Sequence, residues 1–208
     1  MDDLYEARDS IYCYPGTNTL VNNLDIHDSK KLEKAEKTIV LAKLYDLRQG
    51  VVKGDFNKVH IINIHKYLFE DLYPFAGKFR TENIAKDNFS FAEWEYIESE
   101  LDRLLDSLKE ENYLHGKNKE DLAKRLAFYM SELNVLHPFR EGNGRTIREF
   151  IRELALDNGY IIDYSKTTAE EMLAAMITSV IDDKELSKII YKCLDVKEEY
   201  DFSKWTKN

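Results

Sequence analysis

Leu122-Ala123-Lys124-Arg125-Leu126-Ala127-Phe128-Tyr129-Met130-Ser131-Glu132-Leu133-Asn134-Val135-Leu136 sets a line of large apolar side chains along one helical face. Leu122, Leu126, Tyr129, Leu133 and Leu136 follow steps of four, three, four and three, the repeat of an amphipathic helix. Similar steps run through 29–48, 56–72, 93–112, 146–158, 168–181 and 184–194. Three prolines and eight glycines are few interruptions for 208 residues, and few windows alternate with the period of a strand. The fold class this predicts is all-α. Asp28-Ser29 offers an N-cap before the first long helix. Pro74 and Gly77 are expected to stop the helix that reaches Tyr73, and Asn158-Gly159 reads as a left-handed helix stop. Gly77–Phe91 breaks the rhythm by mixing β-favouring residues with a polar centre. It reads as a short hairpin or flap, with an ordinary helix connection as the alternative.

Immediately after this helix comes His137-Pro138-Phe139-Arg140-Glu141-Gly142-Asn143-Gly144-Arg145-Thr146-Ile147-Arg148. Gly142-Asn143-Gly144 precedes a helix start, where glycines let a ligand approach the backbone and exposed N–H groups attract phosphate oxygens. Arg145 and Arg148 lie three apart on the following turn, placed to meet outer phosphates. Their bland alternative is pairing with Glu141, Glu149 or Glu153. Glu141 supplies a hard oxygen donor of the kind Mg²⁺ takes once or twice beside substrate phosphates. His137 is an imidazole able to accept a hydroxyl proton near neutral pH. Phe139 reads as an anchor for the loop, and Asn143 as a phosphate donor, a cap or both. His27, His60, His65 and His115 lack such company and read as structural or surface residues.

The twelve residues from His137 match HPFx[D/E]GNGRxxR at every specified position, and the chain on this ground resembles the Fic family. Tyr14-Pro15-Gly16-Thr17, Gly77-x-x-Arg80 and Leu133-Asn134-x-Leu136 extend the resemblance across roughly residues 10–195. It implies a helical bundle with a small β-hairpin flap. It also implies transfer of AMP from ATP to a Ser, Thr or Tyr hydroxyl of a target protein, and of the chain itself, with release of pyrophosphate. On this resemblance His137 is the base, Glu141 holds Mg²⁺ between the α- and β-phosphates, and Gly142, Asn143 and Gly144 form the anion hole. Arg145 and Arg148 bind the outer phosphates. The flap from Arg80 to Phe91 aligns the target by strand addition, with Ile84 or a neighbour as clamp.

Many relatives carry an inhibitory [S/T]xxxE[G/N] helix whose glutamate pairs with the second motif arginine, here Arg148. Ser29 and Glu33 are the best-placed candidates, although Lys34 departs from the pattern and helix capping is the competing role. Ser107–Asn112 satisfies the pattern formally but falls in a core helix. A separate inhibitory partner is the alternative. Doc-like relatives, which transfer phosphate, carry lysine at the second motif glycine, so Gly144 argues against that chemistry. Transfer of UMP, GMP or phosphocholine stays open, as does a catalytically silent helical interaction domain.

Composition bounds the rest. A formal charge of -9 argues against a chain that coats nucleic acid. No apolar run approaches the roughly 20 residues of a membrane span, and the acidic start Met1–Glu6 lacks the order of a secretory signal. Cytoplasmic residence is expected, with Cys13 and Cys193 as free thiols. One domain is expected over 1–195 with a charged appendage at 196–208. Oligomeric state is open.

Overall fold

The computed structural model describes residues 10–86 and 89–199. Seven α-helices and two short two-stranded antiparallel sheets are present among them: α1 (Ser29–Leu47), α2 (Lys58–Phe69), α3 (Ile97–Glu110), α4 (Lys119–Leu136), α5 (Asn143–Asp157), α6 (Ala169–Thr178) and α7 (Lys184–Cys193), with strands β1 (Ala85–Lys86), β2 (Phe89–Ser90), β3 (Tyr160–Ile162) and β4 (Leu194–Val196). The all-α expectation holds, and each predicted helical segment is helical over most of its length.

Residues 10–105 and 135–146 form one compact unit, and 106–134 with 147–199 another. In the first, α1 starts where the Asp28 carboxylate accepts the Lys31 N–H at 2.9 Å, which satisfies one of the orphan donors of the first turn. Its buried positions are Leu32, Glu36, Val40 and Leu47, so a glutamate occupies a place in the apolar stripe. Asn57 caps α2 by accepting from His60 N–H. That cap puts the start at Lys58, and the helix ends at Phe69, three residues short of the predicted limit. Leu72 and Tyr73 are still buried, but they sit in the turn where both N–H groups return to the Phe69 carbonyl. Apolar content therefore outran helical geometry in the sequence reading.

The hairpin expected between Gly77 and Phe91 is present: β1 and β2 pair antiparallel, Ala85 opposite Ser90 and Lys86 opposite Phe89. Residues 87 and 88 at its tip lie outside the described residues.

The second unit buries Leu122, Leu126, Tyr129, Met130 and Leu133 of α4 and Phe150, Ile151 and Leu154 of α5. Thr168 and Glu171 form a reciprocal capping box at the start of α6. Gly159, at φ +80°, ends α5 as predicted. The unexpected element is β4. Leu194–Val196 pairs antiparallel with Tyr160–Ile162, and Lys166 bridges Asp195 at 2.5 Å. The segment from Val196 thus begins as a strand end and a short 3₁₀ turn over Lys197–Glu199. The rest of the expected appendage, from residue 200, lies outside the described residues. Partners more than thirty residues apart in the chain, such as Ile161 and Asp195, leave no local periodicity to read.

Among the described residues no helix is long and apolar enough to cross a membrane.

Candidate active site

Chain geometry presents His137 directly. α4 ends at Leu136, and His137 turns into the left-handed region at φ +46°, a conformation a non-glycine residue adopts at some cost. Arg80 holds it there. This guanidinium is 1% exposed and donates to four carbonyls: His137 at 2.8 Å, Leu136 at 3.1 Å, Glu82 at 2.8 Å and Ala92 at 2.5 Å. Two of these lie under the histidine and two at the ends of the flap. A pair of backbone bonds, Arg80 N–H to the Pro138 carbonyl and Ala92 N–H to the Val135 carbonyl, runs parallel to them. The His137 ring is stacked on Phe91 with centroids 3.8 Å apart.

Arg80 therefore supports the flap from beneath, and Ile84 is buried as well, its carbonyl accepting the Phe91 N–H. Arg140 adds a second tie by donating to the Glu82 carboxylate at 2.8 Å, with both side chains largely buried.

The loop to α5 is closed by its own residues. The Asn143 side chain, 1% exposed, accepts from Phe139 N–H at 2.9 Å and donates to the Phe139 carbonyl at 2.7 Å. Its amide thus shapes the loop. Gly142 has φ +79°, and a Cβ there would sit 2.2 Å from the Phe69 ring, so both backbone conformation and space require glycine. α5 then starts at Asn143, three residues before the apolar repeat alone placed it. The N–H groups of its first turn have no preceding helical carbonyl to bind and carry the positive end of the dipole.

His65 of α2 fixes the loop from below. Its Nδ1 accepts the Gly77 N–H at 2.8 Å, so the proton sits on Nε2, which donates to the Glu141 carbonyl at 3.0 Å. The ring lies on Phe139 at 3.7 Å and 7°. Burial pushes the imidazole down to about 3, against the pull of the Glu141 carbonyl, with the charge of Arg145 adding to the fall. A histidine depressed in the folded state binds its proton first in the unfolded chain. Stability should therefore fall as pH drops below about 6.5, by up to about 1.4 kcal/mol per pH unit. Thermal unfolding between pH 7 and pH 4 should show a shallower slope in His65→Gln than in the parent. Equal slopes would mean that His65 is not held neutral.

Glu141 turns its carboxylate back to the helix start, where Oε1 accepts the Gly142 N–H at 2.8 Å and an Arg145 Nη2–H at 3.2 Å. Arg145 lies over the Phe69 ring at 4.8 Å and meets Glu36 Oε1 at 2.6 Å through Nη1. Burial opposes its charge, but Glu36 and Glu141 outweigh that and raise the guanidinium further above its ordinary range. Arg148 follows three residues along α5, and its carbonyl accepts the Tyr164 hydroxyl at 3.4 Å. Ser29 is the exposed first residue of α1, and Glu33 pairs with Lys37 on the exposed side of that helix. Glu111, the other formal match, accepts from Arg125 Nε at 2.9 Å and from the Tyr129 hydroxyl at 2.8 Å. Both cysteines are free, and burial pushes the Cys193 thiol up to about 11. Among the described residues no three His, Cys, Asp or Glu side chains gather as a metal cage.

Glu36, His65, Tyr73, Glu82 and Arg140 were not among the residues the sequence reading singled out for the site. The placement of Glu36 in the stripe Leu32-Glu36-Val40 was the available signal, since a carboxylate there is buried only with a partner.

Residues 55–155 match the Fic/DOC family model. The chain is 34% identical over 192 residues to the probable protein adenylyltransferase Fic of Salmonella typhimurium, covering 92% of this chain and 94% of that protein. The chain belongs to the Fic/DOC family. It is also 39% identical over 188 residues to the protein adenylyltransferase VbhT of Bartonella schoenbuchensis, where it covers 90% of this chain but spans only 39% of that longer relative. Among solved structures, the BepC protein of Bartonella tribocorum with bound AMPPNP superposes with a TM-score of 0.84 at 26% identity, over 89% of this chain and 96% of that one. The helical fold is thus common to both. What the Fic frame supplies here is one short loop that carries an imidazole, a carboxylate, a helix N-terminus and an arginine.

Proposed function

We infer that this chain is a Fic-type protein adenylyltransferase, a nucleotidyltransferase that takes ATP as co-substrate and moves its AMP to a hydroxyl of a protein. The observation that carries this reading is the convergence, within residues 137–145, of His137, Glu141, the α5 N-terminus and Arg145 on one closed loop. Relatives of this chain are named protein adenylyltransferases, and a related fold binds an ATP analogue.

In this reaction the oxygen of a target Ser, Thr or Tyr attacks the α-phosphorus. The bond to the bridging α–β oxygen breaks, and pyrophosphate leaves. His137 takes the hydroxyl proton, a role worth roughly 10²–10⁴-fold in rate. The N–H groups around Gly142, Asn143 and Gly144 receive the reacting phosphate at the positive end of α5. Arg145 and, one turn on, Arg148 take the charge of the departing phosphates. Glu141 would hold Mg²⁺ as one protein carboxylate beside substrate oxygens, a hard oxygen donor of the kind that ion takes. When bound, that ion neutralises charge developing between the phosphates. The flap edge presents the target segment to His137 by strand pairing. No nucleic acid enters this scheme, and the net charge of -9 fits none.

The test is to incubate the pure protein with Mg²⁺ and ATP labelled at the α- or the γ-phosphate. The α-label should become covalently attached to protein, with the chain itself as first acceptor, while the γ-label leaves with pyrophosphate. Protein-bound γ-label would overturn the reading in favour of a kinase. Competition by UTP or GTP stronger than by ATP would change the nucleotide.

A further inference from the structure

We propose that Glu36 is a positioning residue of the nucleotide site, holding Arg145 by one edge so that its remaining N–H groups face the outer phosphates of ATP. The inference rests on the nucleotide reading above and adds a residue from α1, which lies outside the span matched by the family model.

Four contacts define the arrangement. Glu36 is 9% exposed, on the inner face of α1 between Leu32 and Val40. Its Oε1 meets Arg145 Nη1 at 2.6 Å, and its Oε2 accepts the hydroxyl of Tyr73. Arg145 Nη2 reaches Glu141 Oε1 at 3.2 Å, and the flat guanidinium rests on Phe69. Phe69 is also the ring that a Cβ at Gly142 would strike, so Arg145 and the glycine loop share one floor. The Tyr73 phenol is raised far above its ordinary value by burial and by the charge of Glu36, so it stays a donor. Both Glu36 oxygens are committed to protein partners.

This geometry separates a holder from a brake. A brake must let go of arginine when nucleotide arrives. Releasing Arg145 would leave Glu36 as a buried carboxylate with only a phenol for company, which is costly. The guanidinium has five N–H donors in a fixed fork, so phosphate oxygens can bind the free edge while the Glu36 edge stays paired. Glu36 thus removes the rotational freedom of Arg145 before nucleotide binds, and its charge keeps the long side chain from wandering off the phosphate site.

The prediction concerns outer phosphates alone. Loss of one charge-assisted hydrogen bond in Glu36→Ala should weaken ATP about tenfold while AMP affinity changes less than about twofold. In autolabelling the same variant should raise KM for ATP by a similar factor with kcat little changed. Glu36→Gln keeps an acceptor without the charge and should move the ATP-to-AMP affinity ratio about threefold in the same direction. If the alanine variant does not fold, this ratio in the glutamine variant carries the test. A general collapse of the site would weaken both nucleotides together, and that result would overturn the proposal. So would tighter ATP binding or faster labelling, the signature of a brake, and so would an unchanged ratio. If the parent binds ATP and the ratio does not move, only this inference falls. If the parent binds neither nucleotide, the nucleotide reading itself falls.

Discussion

His137→Ala is expected to lower AMP transfer by about 10²–10⁴-fold while leaving ATP affinity within about twofold. The reason is a division of labour inside one residue. Its carbonyl, not its ring, accepts from Arg80, so the backbone tether survives truncation. The nucleotide is assigned to the α5 N-terminus and Arg145, which lie beyond Asn143's closure of the loop. The ring itself is stacked on Phe91 of the flap, where an incoming hydroxyl would be delivered. Because His137 has φ +46°, alanine there carries some strain. His137→Asn, better tolerated in the left-handed region, serves as the control. Labelling rates with α-labelled ATP and nucleotide affinities by calorimetry check both halves. Parental labelling in either variant would remove His137 as the base.

The largest stability effect is expected at Arg80. Arg80→Ala strips the donor from four carbonyls, those of Glu82, Ala92, Leu136 and His137. A buried acceptor left without its partner costs about 1–3 kcal/mol, and with partial relaxation the sum should be about 3–5 kcal/mol. Arg80→Lys should recover only part of this, because one ammonium cannot span carbonyls arranged around a planar fork. Urea unfolding followed by tryptophan fluorescence measures it. A loss below about 1 kcal/mol would show that the fork is replaceable by water. Both variants should also impair transfer more than ATP binding, since the clamp joins the flap to the histidine turn.

Arg80 also shows where sequence reading stops. Its place in Gly77-x-x-Arg80 pointed to the flap, and its guanidinium donates to the Glu82 and Ala92 carbonyls at the two ends of that segment. Yet nothing in the local string distinguishes an arginine on the flap from one buried beneath it. The distinction depends on Leu136 and His137, more than fifty residues away. His65 read as a structural histidine, which suits its burial, but the carbonyl it holds belongs to Glu141, 76 positions on. Glu36 carried a local signal, a charge at an apolar step, while its partner did not. Ser29 and Glu33 fit the spacing of an inhibitory pair, and no local pattern marks Glu36, three residues on, as the α1 glutamate that meets the first motif arginine. The β3–β4 pair escaped the sequence reading for a related reason, since strands of three residues carry almost no period.

By itself the sequence determined the helical class, from apolar steps of three and four, and the family, from the twelve residues His137 to Arg148. Both are local properties: a helix repeats every 3.6 residues, and a motif of twelve consecutive residues is read off the chain without knowing what packs against it. Only the tertiary structure decided what holds the motif loop. The Arg80 fork, the His65 bridge and the Glu36 grip on Arg145 join segments far apart in the chain. Burial makes each of these polar contacts obligatory once formed, and chain folding alone determines which distant groups meet.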